Sequence, residues 1–486
     1  MDTDFTIVLL NVADSLPELS SSFITTWSID STNETISFGD IENGEYNCEI
    51  DWGDGTTGTY VGTTAPSHIY DEPGDYTVAV GGTFSRLKLG GTDSAPKLSS
   101  IEQWGDIEWQ DFSYAFTGCT NMVYNAKDAP NLSQVTDLSY MFNSAEKFNG
   151  DLSNWIVTNI QNMEGMFSYA SVFNGNITNW DVINVTNMKA MFQVASAFNQ
   201  NIGAWDVDNV TDMSLMFYYA ESFNQDIGAW KVSKVTNMSN MFNSALVFNQ
   251  NLNDWTVSGV TSMAAMFGSA LEFNGNISSW EVHNVKDMSN MFAYAYYFKS
   301  DISNWIVSSV EDMSYMFNFA ESFNQNINNW QVGQVKNMAG MFKNASLFNA
   351  DISGWTVDNV TNMRAMFQGA SEFNQDLSNW NFGNVTDMSY MFRNASQFDQ
   401  NLGSWDLSGL VAPGMVSMLD NSGMDAEMYS YSIMGWNDNV ANMPNGITVG
   451  ALNLDYCGLI ADTARNNLIN SKGWSFNGDT DNCGGD

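Results

Sequence analysis

The stretch Val185–Val207, VTNMKAMFQVASAFNQNIGAWDV, decides the fold, because it recurs along the chain at a fixed interval of 25 residues. Tryptophan marks the period. Trp155, Trp180, Trp205, Trp230, Trp255, Trp280, Trp305, Trp330, Trp355, Trp380 and Trp405 follow one another with no insertion or deletion. In the same frame run Phe142 to Phe392 in a Met-Phe pair, Ala145 to Ala395, and Phe148 to Phe398. A unit of this length cannot bury its own Trp, Met and Phe, so the copies must stack and share a core.

Two periodicities alternate inside the unit. Val185, Met188, Met191, Phe192, Ala195 and Phe198 are three or four residues apart or adjacent, which predicts a short helix or 3-10 turn with one buried face. Ile202, Trp205 and Val207 then follow the L-x-x-L-x-L spacing of a leucine-rich repeat, whose last two members point inward from a short strand. The expected fold is a repeat solenoid, leucine-rich-repeat-like, with one short strand and one short helix or 3-10 turn per 25-residue coil.

The apolar ladders read as core rather than as a cofactor box or a sugar-stacking platform, since each Trp lies between apolar columns. The column Asp151, Asn176, Asn201, Asp226, Asn251, Asn276, Asp301, Asn326, Asp351, Asp376, Asn401 is always Asp or Asn. Such side chains bond backbone groups of the turn and of the next coil. Calcium favours clustered carboxylates, and so many neutral Asn residues argue for a structural ladder instead. Recognition belongs where the copies differ. The residue between Trp and Val faces outward if its neighbours face inward, and it runs Ile156, Asp181, Asp206, Lys231, Thr256, Glu281, Ile306, Gln331, Thr356, Asn381, Asp406. This strip is the candidate ligand face, with a merely solvated surface as the alternative.

Other modules flank the array. Tyr46, Cys48, Ile50 and Trp52 alternate as a half-buried strand leading into DWGDGT, and Tyr76, Val78 and Val80 form a second strand after HIYDEPGDYTV. These predict a small antiparallel β-sandwich over 20–97. Asp51 and Asp54 are weak calcium candidates, although Asp-Gly turn chemistry accounts for them without a metal, and His68 reads as an oriented structural histidine. The solenoid is expected over 98–411, with Cys119 of an entry coil in the small-residue column, and a C-terminal capping module over 412–486. Helical spacing over Ile460–Ser471 ends at Gly473. Cys457 and Cys483 flank this last module and are candidates for a disulfide, with a free pair as the alternative. Residues 1–19 stand apart as a possible attachment arm. They have acids and no Lys or Arg before the apolar stretch Phe5–Leu10, and so do not read as a secretory leader.

Composition excludes several functions. With 16 Lys and Arg against 55 Asp and Glu, a net charge of -39 repels phosphate backbones and anionic membranes, so nucleic acid is not an expected partner. No apolar run of membrane-spanning length occurs, and membrane insertion is not expected. Four cysteines without a CxxC and two histidines do not assemble a zinc site, and no cofactor is expected. No HExxH, GxSxG or P-loop pattern is present.

The chain resembles the BspA-like leucine-rich-repeat surface proteins, in which a PKD-like module with DWGDG and HxYxxxGxYTV signatures precedes coils of the NVTxMxxMF type. The resemblance runs from about residue 30 to the carboxyl end, and Ala115, Phe116 and Cys119 carry the AFxxC spacing. It implies a surface-exposed, non-enzymatic recognition or adhesion protein that binds a protein or glycan on a cell surface. The absent leader pattern adds a second expectation, a phage virion appendage held by other virion proteins. A solenoid polysaccharide depolymerase, working through paired carboxylates, is the third.

The inward and outward assignments are testable. Trp280→Ala lowers stability by about 3 to 5 kcal/mol in thermal unfolding, whereas Glu281→Ala stays within about 0.5 kcal/mol of the parent. Equal losses would reverse the assignment.

Overall fold

Alternating burial builds the first sheet. The computed structural model describes residues 19–39 and 46–482, and the chain divides into two units, Met1–Asp181 and Val182–Asp486. The attachment arm expected over 1–19 lies outside the described residues except for Leu19. In the first unit, β1 (Phe23–Ile29), β2 (Glu34–Ser37), β3 (Tyr46–Asp51), β4 (Thr57–Gly62), β5 (Ser67–Tyr70) and β6 (Gly74–Phe84) all pair antiparallel. Tyr46, Cys48 and Ile50 are buried and Asn47 and Glu49 exposed along β3, as their alternation predicts. The long β6 lies between β3 and β1, and β2 pairs with β5 in a separate ribbon. Phe38 stands against Trp27, Trp52 and Phe84 with ring centroids 5.7, 5.8 and 5.1 Å away. Gly53 makes the DWGDG turn possible: it lies at φ 79°, and a Cβ there would come 2.4 Å from the Thr77 carbonyl oxygen.

The sheet does not stop at residue 97. β7 (Leu98–Gln103) pairs antiparallel with β1, and β8 (Val123–Tyr124) pairs parallel with β7. The expected boundary between sandwich and coils therefore runs through one hydrogen-bonded sheet, because buried Leu98 and Ile101 are needed to close its core. Beyond it Phe116, Phe142 and Phe167 stack at 5.6 and 5.7 Å, and Trp155 stacks on Trp180 at 6.5 Å.

In the second unit the coils repeat with the expected core and a different backbone. Trp, Val, Met, Phe and Ala of each column are buried, and the residue between Trp and Val is exposed in every copy. The expected helix and strand are both absent: among the described residues between β8 and β9 (Gly414–Met415) there is no helix and no strand. The Met188–Phe198 segment is a series of tight turns, with Met191 N–H donating to the Met188 carbonyl at 3.2 Å and Ala195 N–H to that of Phe192 at 3.1 Å. Ala190 and Val194, at φ 55° and 58°, are left-handed and interrupt any helix. The intervening amides turn outward along the stack. Met188, Ala190, Phe192 and Val194 donate to the carbonyls of Asp212, Ser214, Met216 and Tyr218 in the next coil, at 3.2, 2.9, 2.9 and 2.6 Å. Parallel bridges fall at Asn187, Asp212, Asn237 and their successors, not on the Ile-x-x-Trp-x-Val segment where the strand was expected. Four-residue turns and helical turns place apolar residues at the same spacing, so periodicity alone does not separate them.

Side chains tie the coils a second time. The Trp280 indole donates to the Leu252 carbonyl at 2.8 Å and the Trp305 indole to the Ile277 carbonyl at 3.1 Å, and the rings of Trp255, Trp280 and Trp305 superpose at 6.3 and 6.1 Å. After the last coil, α1 (Ala426–Asp438) is capped by the Asp425 carboxylate, which accepts from Met428 N–H at 2.8 Å. Its Trp436 indole donates to the Leu402 carbonyl at 3.0 Å, and Ser432 Oγ accepts from Leu402 N–H at 2.9 Å. These are the partners another coil would have supplied. β10 (Thr448–Gly450) lies parallel between β9 and β12 (Ser475–Asn477), and β11 (Asp455–Tyr456) pairs parallel with β13 (Thr480–Asp481). Between them, α2 (Leu459–Lys472) ends at left-handed Gly473, as its sequence predicts. Arg465 of α2 grips Asp479 with two hydrogen bonds of 2.8 and 2.9 Å.

A β-branched residue is costly in the left-handed region, which disfavours non-glycine residues by about 1 to 2 kcal/mol. The same column holds Asn344 and Asn394. Val194→Asn is expected to raise stability by about 1 kcal/mol in chemical denaturation, and a loss of that size would contradict the turn geometry.

Candidate functional site

The eleven residues of the predicted strip are all exposed, from Ile156, which is 76% exposed, through Asp206, Lys231 and Glu281 to Asp406. Their positions follow from the backbone. The Asx residue that opens each segment accepts from the N–H two residues on, as Asp226 Oδ1 does from Gly228 at 2.9 Å and Asp301 Oδ1 from Ser303 at 2.9 Å. This tight turn delivers Trp and Val inward and the residue between them to solvent.

At one coil the strip is indented. Gly228 and Ala229 precede Trp230, and with Val232 they floor a depression of about 420 Å³. Lys231, Ser233, Asp208, Asp254 and Thr256 line it. None of these five side-chain heads makes a hydrogen bond or ion pair among the described residues, so an ammonium, two carboxylates and two hydroxyls face one small volume uncommitted. Lys231 is the one cation in the strip. The structure thus brings Lys231 and Thr256 together with Asp208, Ser233 and Asp254, which sequence reasoning did not single out; the Gly-Ala pair at 228 and 229 also stands at 203 and 204 and does not mark the place.

One expectation is corrected. The column from Asp151 to Asn401 bonds within its own turn and, apart from Asn251 Oδ1 accepting from Asn276 N–H at 2.9 Å, does not hold the next coil through backbone amides. That role belongs to the Asn after each second Phe. In the second unit Asn199, Asn224 and Asn249 accept from the N–H of Asn224, Asn249 and Asn274 at 3.0, 2.9 and 2.8 Å. Lys299 takes its place in this ladder, accepting no such bond, and the ladder resumes at Asn324. Large apolar side chains also reach solvent on the turn segments, at Tyr219, Val247, Tyr294, Tyr297 and Leu347, where the predicted strip has only Ile156 and Ile306. Of these, Tyr219 and Tyr294 are themselves left-handed, at φ 55° and 61°.

The calcium candidates are consumed by their turn. Asp51 Oδ1 accepts from Gly53 N–H at 2.9 Å, and Asp54 Oδ1 accepts from the N–H and hydroxyl of Thr56 at 2.9 and 2.6 Å. The other Asp54 oxygen lies 2.6 Å from His68 Nε2, whose ring stacks on Trp52 at 5.0 Å. Among the described residues no group of three or more metal-ligating side chains is found. Burial opposes the charged form of Asp54, but the hydrogen bonds from Thr56 and His68 hold its carboxyl below the ordinary value. Burial pushes the Cys48 thiol up to about 11 and raises that of Cys119 well above the ordinary thiol value, which leaves both unreactive. Cys457 is disulfide-bonded, and Cys483, its expected partner, lies outside the described residues.

The lowered Asp54 pKa fixes a pH dependence. Its contribution is complete above the unfolded value of 3.8 and is lost as pH falls through the lower folded value. Asp54→Asn therefore lowers the melting temperature at neutral pH, and its deficit shrinks below about pH 4. A deficit that does not change with pH would remove the charge from this account.

The chain belongs to the family described as Mycoplasma protein of unknown function, DUF285, whose model matches residues 92–184, 175–277, 250–346 and 320–436. The overlapping matches cover the tandem repeats. No curated protein and no solved structure matches the chain.

Proposed function

We propose that this DUF285 member is a surface-exposed, non-enzymatic recognition protein that holds a protein or glycan partner on the outward residues of its solenoid. The BspA-like resemblance of the DWGDG module and the Met-Phe coils supports a leucine-rich-repeat-type adhesin, with the residues after Leu410 capping the array. The observation that carries the reading is the indented strip at Lys231. A column that varies from coil to coil, mounted on core columns that do not vary, there meets a depression with five uncommitted polar heads. Repeat arrays bind in this way, with a rigid stack presenting variable outer positions. Ammonium, carboxylate and hydroxyl groups together suit a hydroxylated or zwitterionic surface group. Among the described residues no helix is long and apolar enough to cross a membrane.

The test is a binding screen of the whole chain against cell surfaces and a glycan array, with mass analysis of the glycans before and after. Binding without change in glycan mass, reduced at least about tenfold by Lys231→Gln combined with Asp254→Asn, is the expected outcome and corresponds to about 1.4 kcal/mol. Shortened glycans would replace this reading with a depolymerase. Binding indifferent to the double variant would move the site off the strip.

A further inference from the structure

We propose that the first unit carries a second and separate binding site, a polar cleft that takes a short carboxylate-bearing glycan. The cleft, of about 520 Å³, is lined by Ser28, Asp30, Glu34, Lys97, Asn121 and Lys147. This volume lies within the range of small-ligand sites. Ser99 and Pro96 complete the lining.

Two of the lining residues are already committed. Lys97 Nζ lies 3.1 Å from Glu34 Oε1 and donates to the Thr35 carbonyl at 2.9 Å, with both charged side chains largely shielded from solvent. Glu34 Oε2 in turn accepts from the N–H groups of Asp30 and Ser31 at 2.9 and 3.2 Å. The pair neutralises itself and fixes the shape of the cleft.

The rest of the lining is only partly committed. Asn121 is held by its Nδ2 donating to the Pro96 carbonyl at 3.0 Å, and its Oδ1 accepts from Lys147 Nζ at 2.8 Å. That single bond aims the Lys147 ammonium and leaves its other two donors open, with no carboxylate of the described residues within ion-pair distance. Among the described residues the hydroxyls of Ser28 and Ser99 and the carboxylate of Asp30 have no side-chain partner. The open set is therefore one ammonium, two hydroxyls and one carboxylate.

Ligand class follows from this set. Pro96 is the one apolar side chain in the lining, so hydrogen bonds rather than apolar burial must hold the occupant, which calls for a hydroxyl-rich molecule. The unpaired ammonium selects a carboxylate, and Asp30 accepts from sugar hydroxyls. A chain of net charge -39 repels anions at long range, so a carboxylate is retained only where a cation stands within a few ångström.

Calorimetric titration of the whole chain with cellobiouronic acid and with cellobiose, which differ by one carboxylate, tests the proposal. The acidic sugar is expected to bind at least about tenfold tighter at about 20 mM salt, with the advantage shrinking at about 200 mM. Lys147→Gln removes the preference without changing the melting temperature, because Lys147 is exposed. Lys231→Gln leaves the preference intact, which separates this cleft from the outer strip. Equal binding of the two sugars, binding of neither at millimolar concentration, or a preference that survives Lys147→Gln would overturn it.

Discussion

Left-handed backbone at two positions of every coil governs the repeats. Where Ala190 and Val194 lie at positive φ, the segment folds as successive four-residue turns, and alternate N–H groups leave the coil instead of closing a helix. Those amides meet carbonyls of the neighbouring coil, so the stack satisfies backbone groups that a single coil would leave buried and unpaired. The fixed register superposes like residues and leaves no room for insertion within the period. Some of the residues in these positions are glycines, and Gly340 shows why: a Cβ there would lie 2.4 Å from the Tyr315 ring.

Given that register, stability comes from neighbour contacts repeated along each unit. Phe267 stacks on Phe273 within its coil at 3.8 Å and on Phe292 of the next at 5.7 Å, and the indoles add one hydrogen bond per coil through most of the array. Such a sum over neighbours tolerates a local departure. Lys299 breaks the Asn ladder, and the Trp405 indole is buried without a partner where Phe382 stands 3.9 Å from its ring. Nothing in the structure explains why Phe rather than Val occupies that position.

The same rigidity bears on function. Core columns that cannot change leave the outer strip and the turn segments as the places where copies differ. The strip is mainly polar and is indented at Lys231, whereas tyrosines gather on the turns. Cations are scarce, and some are paired: Lys336 with Glu311, Arg364 with Asp387, Arg465 with Asp479. Lys231 and Lys147 each line a concave surface without an ion partner among the described residues.

The sequence by itself determined the period, the buried columns, the outward strip, the alternating strand of β3 and the helix ending at Gly473. All of these depend on spacing and on side-chain chemistry, which are local properties. The tertiary structure decided the rest. Whether residues spaced by three and four form a helix or consecutive turns depends on the sign of φ at residues such as Ala190 and Val194, and only hydrogen bonds to the next coil favour the strained choice. Whether an Asx column bridges coils or closes its own turn depends on which amide lies in reach. The depression at Lys231 and the cleft at Lys147 bring together residues far apart in the chain, and only folding sets which polar heads remain unpaired.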